Sequence, residues 1–167
     1  MNDELSPEAS PVISDAQVGV WEPPQPFDIG PERPVPESVR VMREELRRLF
    51  PKDAKYADKG IKDYADDDSA WNLWFEAFAE RTRKAFRRGD EATAVAHMIY
   101  MSDKLEKADA DARYAIDVDY VENFLDKLSL KKKRWAWSLI PRNLKDLYVA
   151  FWGEITPRKM ARIKMMS

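Results

Sequence analysis

Cysteine is absent from the 167 residues. That excludes a disulfide framework and thiolate metal ligands, and it fits a reducing cytoplasm, the expected location. One histidine is present, at position 97. A single histidine with no cysteine argues against a zinc site. Only five glycines are spread along the chain. No glycine-rich phosphate loop, Walker sequence or nucleophile elbow occurs, so no bound cofactor and no catalysis are expected. No run approaches the roughly 18 uncharged apolar residues that a membrane helix requires. The first residues, MNDELSPE, are acidic and lack an apolar core, so no secretory leader is expected there. Scarce glycine and few β-branched runs, set against abundant Ala, Leu, Lys, Arg and Glu, favour helix over sheet.

The net charge is −2, but it is unevenly placed. Residues 1–34 hold seven acids and one base, whereas residues 131–167 hold ten bases and two acids. Such polarity builds surfaces that attract opposite charge. Seven of the eleven prolines fall within residues 1–35. No helical or strand period survives that density, so this segment reads as an extended acidic arm. Within it, Trp21 and Phe27 flank Pro23, Pro24 and Pro26. Large rings on a stiff backbone suit docking in a groove, on the chain's own domain or on a partner.

From residue 36 the pattern becomes helical. Val39, Met42, Leu46 and Leu49 form a stripe between Pro36 and Pro51. Residues 52–67 allow one short helix, broken at Gly60. The clearest helix spans 69–88, with Trp71, Trp74, Phe75, Phe78, Thr82, Ala85 and Phe86 on one face. Asp67, Asp68 or Ser69 can cap it, and Gly89 ends it. Asp90 caps the next helix, whose stripe is Val95, Met98, Ile99, Ser102 and Leu105; the two form an antiparallel hairpin. A further helix over 111–128 carries Tyr114, Val118, Val121, Leu125 and Leu128. Helices over 131–140 and from Pro141 to about Gly153 follow. The last has Leu144, Leu147, Tyr148, Phe151 and Trp152 as its core face. The expected architecture is all-α: an irregular helical bundle, or two stacked HEAT-like antiparallel pairs. It divides into an arm (1–35), a helical domain (36–156) and a basic tail (157–167).

Four groups of residues invite a chemical reading. His97 lies opposite the stripe of its helix and reads as a surface residue. Asp119, Glu122 and Asp126 share one face. Such carboxylates could hold a divalent cation, but di-metal helical sites add Glu-x-x-His motifs that are missing here. A solvated acidic face, or a contact for a basic partner, is the better reading. Asp117 falls at the edge of the stripe and is expected half-buried beside an arginine from a neighbouring helix. Lys131, Lys132, Lys133 and Arg134 precede Trp135 and Trp137, a mixture suited to an acidic partner or to nucleic acid. The two rings point about 200° apart on a helix, so one should be less buried.

Three runs resemble a known group: Trp74–Asp90 (WFEAFAERTRKAFRRGD), Tyr114–Leu125 (YAIDVDYVENFL) and Leu139–Tyr148 (LIPRNLKDLY). Across residues 68–150 they are similar to small bacterial all-helical, HEAT-like proteins of uncharacterised families encoded near polymorphic or contact-dependent toxins. The resemblance implies an immunity or antitoxin role, with a cognate toxin as the protein partner and no catalytic residues to transfer. The alternative is a nucleic-acid-associated or regulatory module using residues 131–164.

Overall fold

The computed structural model describes residues 34–62 and 70–153. Among them are seven α-helices, one π-helix and no strand. Pro36, with φ −57° and ψ 142°, directs the chain into α1 (Glu37–Leu49). This helix buries Val39, Met42 and Leu46 at the expected spacing. Leu49, expected on the same stripe, is exposed instead. The chain turns at Phe50, with φ −130° and ψ 60°, and its ring takes the inward place. Pro51 stops α1 and also opens α2 (Pro51–Gly60), since a first-turn proline lacks only an N–H that has no helical partner. Ala54, Ala57 and Ile61 are the buried residues of that segment.

α3 (Trp71–Arg88) is the centre of the molecule. It packs against α2, α4 and α6 and against the π-helix, so the arrangement is an irregular bundle around one helix. Trp74, Phe75, Phe78, Thr82, Ala85 and Phe86 are buried as the stripe requires, while Trp71 is half-buried. Its N-cap position is Ala70, which offers no side-chain cap; the candidate caps at 67–69 lie outside the described residues. Gly89, at φ 77°, occupies the left-handed region that closes a helix, and Asp90 then accepts from the Thr93 N–H at 3.1 Å. The chain thereby reverses into α4 (Glu91–Leu105).

α4 is rotated from its expected phase. Ala94, His97, Met98, Met101 and Leu105 are buried, and Ile99 is exposed. The physical reason is that Thr82 on α3 and Asp53 on α2 supply polar partners for His97. An imidazole so provided for can point inward, which frees the apolar Ile99 to face out.

The next expected helix is also altered. α5 (Ala110–Tyr114), capped by Asp109, runs into a π-helix at Ala115–Val121 and then irregular turns. A wider turn shifts the phase of every later side chain. Val118 is therefore half-buried, while Ala115, Ile116, Asp119, Tyr120 and Val121 point in; Tyr114, the last residue before the π-helix, is exposed. Lys127, at φ 52°, reverses the chain toward Ser129, whose hydroxyl caps α6 (Leu130–Leu139). Finally α7 (Arg142–Trp152) is tied to α4 by Asn143, whose amide donates to the Ser102 carbonyl at 3.0 Å. None of the described helices is long and apolar enough to cross a membrane.

Candidate functional site

Because α3 and α4 are antiparallel, the polar residues within their apolar faces meet. Thr82 Oγ1 lies 3.0 Å from His97 Nδ1 and 3.0 Å from the Tyr120 hydroxyl. On the other side of the ring, His97 Nε2 is 3.3 Å from Asp53 Oδ2. That approach is in ion-pair range but misaligned for a hydrogen bond, so we treat it as an electrostatic contact. Asp53 is held in turn by Arg81, whose Nε donates at 2.6 Å. One proton arrangement suits the chain: Tyr120 donates to Thr82, Thr82 donates to Nδ1, and the Nε2 hydrogen faces Asp53.

The rings of Phe50 and Phe78 sit 4.6 Å from the imidazole. Burial pushes the His97 pKa down to about 4, against the opposing pull of Asp53. Far from being a surface residue, His97 is 0% exposed, as is Thr82. Acid, imidazole and hydroxyl stand in the order of a nucleophilic triad, but neither His97 nor Thr82 offers surface to a substrate. The relay pairs the buried Thr82 and Tyr120 hydroxyls with His97 Nδ1 and leaves Nε2 to its electrostatic contact with Asp53.

The second site is built by the π-helix. Its wide turn puts Asp119 inside, 3% exposed, with Oδ2 buried and without a hydrogen-bond partner. Burial first, and then the charges of Glu76 and Glu122, raise the Asp119 pKa to about 7. Asp117 is raised by burial, with Arg113 pulling against it, and Glu122 is raised by burial and by Asp117. The expected arginine of Asp117 thus comes from its own helical run, not from a neighbouring helix. Asn123 closes the end of the turn, its amide donating to the carbonyls of Val118 (3.3 Å) and Asp119 (3.0 Å). Beside it, Trp152 Nε1 donates to the Glu122 carbonyl at 3.2 Å. A groove of about 560 Å³ runs alongside, lined by Tyr56, Glu76, Glu80, Arg83, Asn123 and Asp126 among others. Among the described residues no group of three His, Asp or Glu side chains is placed to hold a metal ion.

A family model described as "Domain of unknown function (DUF7674)" matches residues 43–153. The chain belongs to that family. No curated protein matches it, and no solved structure does. The matched stretch begins inside α1 and ends just after α7, so the domain holds both the His97 relay and the π-helical carboxylates.

Of the expected acidic face, the fold keeps only part together. Asp119 is buried under Glu122, a correction to its reading as solvated, because the π-turn rotates it inward. Asp126 is drawn away to Arg83, at 3.7 Å, and Lys127, at 3.8 Å. Glu76, from α3, is the member that spacing within one helix could not supply. In the basic segment, Lys131 and Arg134 are exposed while Lys132 and Lys133 are half-buried. Trp135 and Trp137 are both half-buried, flanking the buried Ala136. Trp135 packs edge-on to Phe86 at 5.7 Å and Trp137 against Tyr148 at 5.6 Å, so neither ring is the one left out. Phe151 and Trp152, expected in the core, are 56% and 51% exposed and pack edge-on to each other. Trp21, Phe27, the arm and the basic tail lie outside the described residues.

Proposed function

We infer that this chain is an immunity or antitoxin-like protein that acts in the cytoplasm, neutralising a partner toxin by covering it and performing no chemistry of its own. The observation that carries the reading is the face around the π-helix. There Glu76 and Glu122 form no ion pair among the described residues, and the exposed rings of Phe151 and Trp152 stand beside Glu122. Uncompensated carboxylates speed encounter with a basic surface, and aromatic anchors supply the affinity. The burial of His97 and Thr82 keeps that relay from meeting a substrate, and the resemblance over residues 68–150 supplies the class of partner.

Co-expression with the product of the adjacent gene tests this reading. Co-purification and rescue of growth are expected. Replacing Phe151 and Trp152 by Ala should weaken the complex by about 2 kcal/mol or more, as for other aromatic hot spots. Neither complex nor rescue would count against the reading. The exposed Lys131 and Arg134 favour a second reading, contact with nucleic-acid phosphates, which predicts a gel shift that fades steeply with salt.

A further inference from the structure

We propose that the junction of α3 and α6 is a contact surface for single-stranded nucleic acid, with phosphates held by Arg88, Lys131 and Lys132 and one base stacked on Trp135. The proposal rests on the nucleic-acid reading and deepens it, naming the form of the strand and the residues that hold it.

Residues 127–145 carry seven bases and no acid. The fold brings further cations to this run from a distant part of the chain. Phe86, near the end of α3, meets the Trp135 ring edge-on at 5.7 Å, which sets the last turn of α3 against α6. There Arg87 and Arg88 are exposed beside Gly89, and a Cβ on Gly89 would lie 3.7 Å from the Lys132 ammonium. Arg87 also reaches the Lys127 carbonyl at 3.5 Å. Three acids are close in sequence. Asp90 accepts from the Thr93 N–H, Asp126 faces Arg83 and Lys127, and Glu91 opens α4. None of them forms an ion pair with Arg87, Arg88, Lys131 or Lys132. Cations are therefore in excess at the junction, and the N–H end of α6 adds partial positive charge to them.

An acidic peptide would answer that charge but has no use for the ring. Trp135 is half-buried, and the Lys132 ammonium lies over it, 5.0 Å from the ring centroid. Lysine carries its charge on a flexible four-carbon stem, so the ammonium can leave the ring for a phosphate and yield the indole to a base. A single strand can offer an unstacked base to that ring, whereas the paired bases of a duplex are closed within the stack. Trp137 takes no part, because it turns toward α7 and packs on Tyr148. Phosphate contacts and one stacked base hold a strand without reading its sequence.

The test is fluorescence anisotropy of the full chain at low salt with four labelled probes. They are oligodeoxythymidine of about a dozen nucleotides, an abasic phosphodiester of equal length, a duplex, and polyglutamate. Oligothymidine should bind about tenfold more tightly than the abasic strand, the effect of one stacked base. Trp135→Leu, checked for native circular dichroism, should lose that preference and keep its affinity for the abasic strand. Arg88→Glu with Lys132→Glu should weaken both strands about tenfold or more. Equal affinity for strands with and without bases would overturn the proposal, and so would binding indifferent to Arg88 and Lys132. A duplex bound as tightly as oligothymidine would overturn it as well. Each of these results would leave the nucleic-acid reading standing. Polyglutamate bound as tightly as oligothymidine would overturn the proposal in favour of an acidic protein. Binding of neither strand would overturn it together with the nucleic-acid reading, and the toxin reading would still stand on co-purification and on the Phe151 and Trp152 variants.

Discussion

Two buried titratable side chains pack against α3 and meet contrary fates. His97 has a hydroxyl at 3.0 Å on one nitrogen, a carboxylate at 3.3 Å from the other, and phenyl rings on its flanks. Asp119 has an oxygen with no partner and two like charges for neighbours. Both are kept neutral by burial, yet the first neutral group is built into a network and the second is not. His97 has one nitrogen hydrogen-bonded and the other facing an opposite charge, whereas the buried Asp119 Oδ2 has neither a hydrogen bond nor an opposite charge beside it. The difference makes Asp119 the more costly of the two to ionise in place.

The largest effect should come from removing the ring that both packs the core and shields the relay. Phe78→Ala is expected to cost about 3–5 kcal/mol in chemical denaturation. A loss below half a unit would place α3 at the periphery and dissolve the comparison. Next comes pH. The folded-state pKa of His97 lies below its unfolded value of 6.5, so its contribution is present above pH 6.5 and is lost as pH falls toward 4. The loss is on the order of 3 kcal/mol. Asp119 has the opposite sign. Its folded pKa, about 7, exceeds the unfolded 3.8, so its contribution is full below 3.8 and is lost as pH rises through 7. Between pH 4 and 6.5 the two slopes oppose each other, and the wild-type chain should show a shallow profile. In Asp119→Asn the His97 slope is no longer opposed by Asp119, and denaturant midpoints should fall more steeply with acid than in the wild-type chain. His97, as the one histidine, can be followed by NMR; titration near 6.5 would contradict its burial.

Asp119→Asn should also stabilise the chain at pH 8. The gain is about 1–3 kcal/mol, because the amide's own unmet hydrogen bonds offset part of the relief. Equal stability at pH 8 and pH 5 in both proteins would show that Asp119 is not desolvated. The smallest effect belongs to Thr82→Val, which keeps the shape and strands the Tyr120 hydroxyl and His97 Nδ1. It should cost about 1–3 kcal/mol, toward the low end if a water enters. A neutral result would mean that the relay is held by packing alone.

Local pattern alone reached the helices that begin and end on strong signals. Pro36, Gly89, Asp90 and Pro141 mark real boundaries, and the Trp74–Phe86 stripe is buried as its spacing requires. Those features are legible because proline, a left-handed glycine and an N-cap carboxylate act on adjacent residues. The all-α class follows from the same local terms summed along the chain. What pattern could not reach were decisions made between helices. Asp53, Thr82 and His97 lie 29 and 15 residues apart in sequence, and no periodicity announces that they share a polar partner set. The π-turn at Ala115–Val121 swings Asp119 in, because packing against α3 and α7 selects a phase that a regular helix would not give. Phe151 and Trp152 continue the apolar period of α7, but they stay exposed because the helix outruns the core that covers Leu144 and Tyr148. The sequence by itself determined where the chain becomes helical and where most turns fall, since those depend on neighbours a few residues away. Only the tertiary structure decided which polar groups are buried and which carboxylates stand uncompensated, since desolvation and charge depend on everything packed around them.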